Sequence, residues 1–185
     1  MKHIRIPDQE FAARITAMQA VMAHEPLDAL LVFSTESEPA GVRYFSDYWP
    51  SFESAGVLIP QQGAAVLLIG PESLTFAKSR STLAEVIRIK DFRESSMPDY
   101  PGTELPDWPA VLKRFGVQRL GVAGWHMLPH TIFKNIAAAL GEANIAEADD
   151  LVRKVTLKKS KAEQACLREA ARISELGFKA VLEHI

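Results

Sequence analysis

Three short apolar runs set the strongest constraint on this 185-residue chain: DALLVF (28–33), AGVLIP (55–60) and AAVLLIG (64–70). Each is too short for an ordinary helix, and each is bounded by polar or turn-forming residues. Their apolarity is nearly continuous rather than alternating, which belongs to strands covered on both faces. Only Gln61-Gln62-Gly63 separates the second run from the third, so those two read as a hairpin. A sheet buried on both faces needs helices on both sides, and the sequence supplies them in alternation. PDQEFAARITAMQAVMAHE (7–25) predicts an amphipathic helix capped by Asp8, with Phe11, Ile15, Met18 and Met22 toward the core. PESLTFAKSR (71–80) predicts a helix with Pro71 in its first turn. WPAVLKRFG (108–116) predicts one that ends at Gly116, and PHTIFKNIAAALG (129–141) one entered at Pro129 and left at Gly141. EVIRIKDF (85–92) and VQRLGVAG (117–124) predict strands, and NIAEADDLV (144–152) a strand followed by a turn. Between them, 93–109 carries four prolines and predicts a long irregular loop. The alternation gives an α/β sandwich with a mixed sheet.

The composition permits such a core: 48% of residues are hydrophobic and 24% charged. A formal net charge of -2 offers no basic field, which argues against a general nucleic-acid or anionic-membrane binder. The lone Cys166 excludes an internal disulfide and a Cys-rich zinc site, and points to a reducing compartment. No apolar stretch reaches the ~18 residues of a membrane span, and the N-terminus lacks a signal-peptide core. A soluble, cytoplasmic protein is the expectation.

Most motifs that could carry chemistry fail on their own terms. The one close histidine pair, His126 and His130, is interrupted by Pro129, whereas an i,i+4 pair needs a continuous helix to converge on an ion. His130 therefore reads as a helix-entry residue. Asp149 and Asp150 are neighbours and read as a turn or cap. Cys166 sits in a helix interior with Glu163 and Glu169 nearby and no activating base. GVAGWH (121–126) lacks both phosphate-loop patterns and reads as a plain strand–helix turn. The basic residues Arg153, Lys154, Lys158, Lys159 and Lys161 have no interleaved aromatics and read as a solvated segment. No catalytic residue and no metal ligand is expected in this chain. The stretch STESEPAGVRYFSDYWPSFES (34–54) is the richest candidate. Tyr44 and Phe45 are expected in the core. Tyr48, Trp49 and Phe52 stand among Pro50, Ser51 and Glu53, where a loop would expose them as a substrate-pocket or interface surface. Simple packing is the alternative.

The chain closes on SKAEQACLREAARISELGFKAVLEHI (160–185), a long helix with a capping box, Ser160-x-x-Glu163, and no Gly or Pro stop. Glu175–Lys179 and Lys179–Glu183 are i,i+4 pairs on one face. Leu167, Ala170, Ile173, Gly177 and Val181 line the other, where small residues allow a partner to approach closely. This region, LVRKVTLKKSKAEQACLREAARISELGFKAVLE (151–183), resembles the junction between the N-terminal and catalytic domains of the pita-bread metallopeptidases: Xaa-Pro aminopeptidase, prolidase and creatinase. Arg153, Lys154, Lys158, Ser160, Glu163, Arg168, Ala170, Ile173 and Gly177 carry the likeness. GVRYFSDY (41–48) resembles the family segment that follows the first strand.

The resemblance implies a three-layer α/β/α domain with a mixed, ribonuclease-H-like sheet over 1–157, and a junction with the first helix of a catalytic domain over 158–185. It implies a dinuclear divalent metal site (Mn, Co or Zn) built from two Asp, one His and two Glu, all beyond residue 185, so no cofactor belongs to this chain. It further implies a homodimer, with this chain's own catalytic domain as partner and a peptide or small amide as substrate. In the family, the N-terminal domain of one subunit can lie near its mate's substrate pocket, a role that would fall to Tyr48, Trp49 and Phe52. The creatinase branch has an arginine near this place that helps hold the substrate carboxylate. Ser54 stands there in this sequence, which puts the peptidase branch ahead of a creatinase-like or other amide or amidine hydrolase. A stand-alone binding module is the reading from another class.

Overall fold

The computed structural model describes residues 4–94 and 104–184. In chain order its elements are α1 (Asp8–Met22), β1 (Ala29–Ser34), α2 (Ala40–Ser46), β2 (Ala55–Pro60), β3 (Val66–Ile69), α3 (Leu74–Arg80) and β4 (Val86–Arg88). They continue with α4 (Trp108–Arg114), β5 (Leu120–Ala123), α5 (His130–Leu140), β6 (Ile145–Glu147), α6 (Asp149–Thr156) and α7 (Lys161–Leu182). The strands form one mixed sheet in the order β4-β3-β2-β1-β5-β6. β1–β2 and β2–β3 are antiparallel, the latter pair being the expected hairpin, while β3–β4, β1–β5 and β5–β6 are parallel.

Period-two alternation along the buried strands sends neighbouring side chains to opposite layers. Leu30, Val32, Val57, Ile59, Leu67 and Ile69 meet α1 and α2 through Ile15, Met18, Met22, Val42 and Phe45, with Ala77 and Leu151 adding α3 and α6. Leu31, Phe33, Leu58, Val66 and Leu68 meet Trp108, Val111 and Leu112 of α4 and Ile132 and Ile136 of α5. Every residue of β1 and β2 is buried, as the apolar runs require. Each fully buried large side chain contributes roughly 1.5–3 kcal/mol. Gly56 leaves the space into which Phe92 packs: a Cβ there would lie 2.8 Å from Leu31 and 3.2 Å from the Phe92 ring.

The elements differ from expectation in four places. Pro7, extended at φ -65 and ψ 143, is the N-cap of α1, and Asp8 is its first residue. Pro71 lies outside α3, whose N-cap is Ser73. The strand over 85–92 lasts only Val86–Arg88 before a 3-10 turn at Lys90–Phe92, which folds Phe92 under the sheet. The turn after β6 is instead the helix α6, which buries Leu151 against α1's layer and carries Asp149 and Asp150 first and Arg153 and Lys154 last, in accord with the helix dipole. The 93–109 loop lies largely outside the described residues. Among those residues, no helix is long and apolar enough to cross a membrane.

α7 is tied to the sandwich at its first turn. The capping box is formed, with Ser160 Oγ accepting from Glu163 N–H at 3.0 Å and Glu163 accepting from Ser160 N–H at 2.7 Å. Ser160 Oγ also donates to Glu10 at 2.8 Å. Beyond that turn the helix buries none of its residues. Leu167, Ile173, Leu176, Phe178, Val181 and Leu182 are all exposed. Glu175 pairs with Lys179 at 2.7 Å on another face, as the spacing predicts.

Candidate functional site

The segment after α2 is shaped by local hydrogen bonds. Asp47 closes the helix in the left-handed region at φ 56 and donates its N–H to Arg43 O. Ser46 Oγ donates to Val42 O at 2.7 Å and accepts from Tyr48 N–H at 3.2 Å. This turn drives Tyr48 inward. Its ring is fully buried against Phe76, with centroids 5.6 Å apart. The expected exposure of Tyr48 is therefore corrected: it is core. Burial raises its phenol pKa, and the charge of Glu53 adds to the rise. Its Oη has no hydrogen-bond partner among the described residues.

Trp49 and Phe52 stay nearer the surface. Phe52 is 41% exposed on a bend. Trp49 is partly buried, edge-on to Phe76 at 5.5 Å. The guanidinium carbons of Arg43 and Arg80 each lie 4.7 Å from its ring centroid. The indole is thus dressed by cations rather than presented as a bare apolar wall.

Glu53 anchors the segment from below. It is buried, and its Oε2 accepts from Ser73 Oγ at 2.7 Å, Ser73 N–H at 3.0 Å and Glu72 N–H at 3.2 Å. These bonds tie up the backbone ahead of α3, which is why Pro71 does not start that helix. Burial raises the carboxyl pKa above the usual carboxylate range; Ser73 and the two backbone donors pull it down in part, and the charge of Glu72 pushes it up again. Gly70 is required here, because a Cβ would collide with this carboxylate. Ser54 donates its N–H to Phe92 O.

A cleft of about 1030 Å³, lined by Arg43 and Arg80 among others, opens between α1, α2 and α7. Its floor is an ionic knot that sequence reasoning missed. Arg14, buried within the apolar face of α1, donates to Tyr44 O at 2.8 Å and pairs with Glu10 at 2.6 Å and Glu163 at 3.5 Å. Its guanidinium also lies 4.1 Å from the Tyr44 ring centroid. The i,i+4 spacing of Glu10 and Arg14 was the available signal. Burial raises the Tyr44 pKa, Arg14 lowers it, and Glu163 and Glu10 raise it.

The remaining candidates take structural places. His130 opens α5, with Pro129 at its N-cap. Asp149 accepts from Gly124 N–H at 2.6 Å and Trp125 N–H at 3.3 Å, locking the turn after β5, where Gly124 has φ 82. Among the described residues, no three His, Cys, Asp or Glu side chains gather as a metal site would require. The arrangement offers an aromatic and cationic surface.

Comparison with known proteins agrees with this picture. Residues 14–155 match the family model described as Creatinase/Prolidase N-terminal domain. A search of curated proteins finds no match. The fold is similar to that of the prolidase from Pyrococcus horikoshii OT3, with TM-score 0.69 and 20% identity over 94% of this chain and 43% of that one. The Xaa-Pro dipeptidase from Bacillus anthracis gives TM-score 0.68 and 20% identity over 95% of this chain and 44% of that one. The N-terminal domain of the cytoplasmic peptidase PepQ from Mycobacterium tuberculosis H37Rv gives TM-score 0.56 and 22% identity, covering 77% of this chain and 98% of that domain. The chain thus spans less than half the length of the prolidase and the dipeptidase. With the mixed sheet between two helical layers and the family match across it, this chain belongs to the creatinase/prolidase N-terminal domain family.

Proposed function

We propose that residues 1–157 are the non-catalytic recognition and dimerisation domain of a cytoplasmic, metal-dependent Xaa-Pro peptidase-like hydrolase. Residues 158–185 then form the junction and first helix of its catalytic domain. The observation that carries this reading is α7, on which six large apolar side chains, Leu167, Ile173 and Val181 of one stripe among them, are exposed to water. A following catalytic domain covers such a face. To that domain we assign the dinuclear Mn, Co or Zn site that the family resemblance implies. Trp49 and Phe52 border the dimer mate's substrate pocket, where the exposed Phe52 ring suits the apolar surface of proline.

Two experiments test this. The 185-residue chain, assayed with added manganese, cobalt or zinc against Xaa-Pro dipeptides, shows no turnover; metal-dependent turnover above a mock preparation would sink the proposal. In the full-length enzyme, Phe52→Ala and Trp49→Ala raise KM or lower kcat/KM while metal content holds. If Phe52→Ala instead destabilises the isolated chain by the ~3–5 kcal/mol of a truncated core aromatic, the pocket role is wrong.

A further inference from the structure

We propose that the crevice at the carboxyl ends of β1 and β5 is a binding site, and that its ligand is a small primary amine with an apolar body, its ammonium group received by Glu38. This goes beyond the function proposed above and stands without it, because every residue involved lies in this chain. β1 and β5 are parallel neighbours. The chain leaving β1 enters α2, whose Val42 and Phe45 lie in one core layer. The chain leaving β5 passes through a 3-10 turn at Trp125–Met127 into α5, whose Ile132 and Ile136 lie in the other layer. The two connections diverge to opposite faces of the sheet. Such a divergence leaves an opening outside the strand ends, and open α/β sheets hold their ligands there. In this fold the opening measures about 520 Å³ and is lined by Val32, Phe33 and Ala123 of the two strands. That volume suits a small molecule.

Local bonds hold the rim in place. Ser34 Oγ accepts from Val42 N–H at 3.1 Å, and Thr35 Oγ1 and Ser37 Oγ share a hydrogen bond of 3.0 Å. Glu38 from one loop and His126 from the other meet at 3.3 Å, so both side chains converge on the same crevice. The polar groups that remain select the ligand. Two backbone donors of the turn after β5, Gly124 and Trp125 N–H, would suit an anion, but Asp149 already occupies them. Arg153, the arginine on this wall, is paired with Asp150 at 2.9 Å. What is left is rich in acceptors: the Glu38 carboxylate and the Ser37 and Thr156 hydroxyls. An acceptor-rich surface calls for a donor-rich ligand, and an ammonium carries three donors. It offers Glu38 a charge-assisted bond, and that side chain is 58% exposed and within reach. Val32, Met127, Val152 and Pro39 supply the wall for an apolar body.

Amide-resolved NMR titration of the 185-residue chain with phenethylamine, phenethyl alcohol and phenylacetate, at matched ionic strength, tests the proposal. The amine binds with a Kd of ~1 mM and the alcohol about tenfold more weakly, as loss of a charge-assisted contact requires. The amides of Gly41 and Gly124, both on the crevice wall, shift as the amine saturates. Glu38→Gln, a surface substitution, lowers amine affinity to that of the alcohol. Glu36→Gln, equally exposed but off the crevice wall, leaves it unchanged. Equal binding of amine and alcohol, phenylacetate binding as tight as that of the amine, or an equal loss in both glutamate variants overturns the role of Glu38. Shifts that bypass Gly41 and Gly124 overturn the location, and no binding of the amine overturns the whole proposal.

Discussion

Replacing Arg14 by methionine removes the charge at the centre of the α1–α2–α7 knot while keeping much of the aliphatic stem. Three things are lost together: the bond to Tyr44 O, the pair with Glu10 and the pair with Glu163. Two carboxylates are then left facing each other. Removing one partner of a buried pair costs roughly 3–5 kcal/mol. The Glu10 and Glu163 side chains are 20% and 16% exposed, so water recovers part of that cost. We expect a loss of about 3 kcal/mol in urea unfolding, and a fall of about 6–12 °C in Tm for a chain of this size. The effect is also directional. α7 is held at its first turn by this knot, so amide exchange over 161–167 accelerates more than exchange in β1 and β2. Adding Glu163→Gln to Arg14→Met removes one of the stranded charges and restores part of the stability. A loss below about 1 kcal/mol, the value of an exposed ion pair, or unchanged exchange over 161–167, would refute the view that the knot fixes the helix.

Two further predictions follow from single residues. Glu53 has a folded-state pKa raised by burial above its ordinary value of 4.5, so its contribution to stability is fully present below that value and lost as pH rises through the folded pKa. Urea midpoints of wild type should therefore fall relative to Glu53→Gln across that rise, with Glu72 and Tyr48 as the neighbouring titratable groups. A difference that stays constant with pH rules this out. Gly177 sits in the interior of α7, where an added Cβ meets nothing within 4 Å. Gly177→Ala should slow amide exchange in the following turns by the roughly 0.5–1 kcal/mol of a Gly-to-Ala exchange in a helix; no slowing means that those turns are limited by something other than propensity.

The sandwich itself was legible from the residues. Short apolar runs without alternation, bounded by turn formers, fit strands covered on both faces, a three-residue link favours sheet neighbours, and Phe11, Ile15, Met18 and Met22 recur at the helical period that the core demands. The capping box of α7 is equally local, because its two bonds join residues three apart. Even the family resemblance rested on short stretches read in order. The structure had to decide whatever depends on distant neighbours. Tyr48 looked exposed because its flanking residues are turn formers, but Phe76, Ser73 and Glu53 come from elsewhere in the chain to enclose it. Nothing in the helical period marks Arg14 for burial, yet Tyr44 and Glu163 arrive from 30 and 149 positions away to bury it. Arg43 and Arg80 meet only because the β2–β3 hairpin brings α3 back beside the end of α2. Periodicity reports which face of an element is apolar. It carries no record of which polar side chains another element will bring against that face, and those encounters make the cleft.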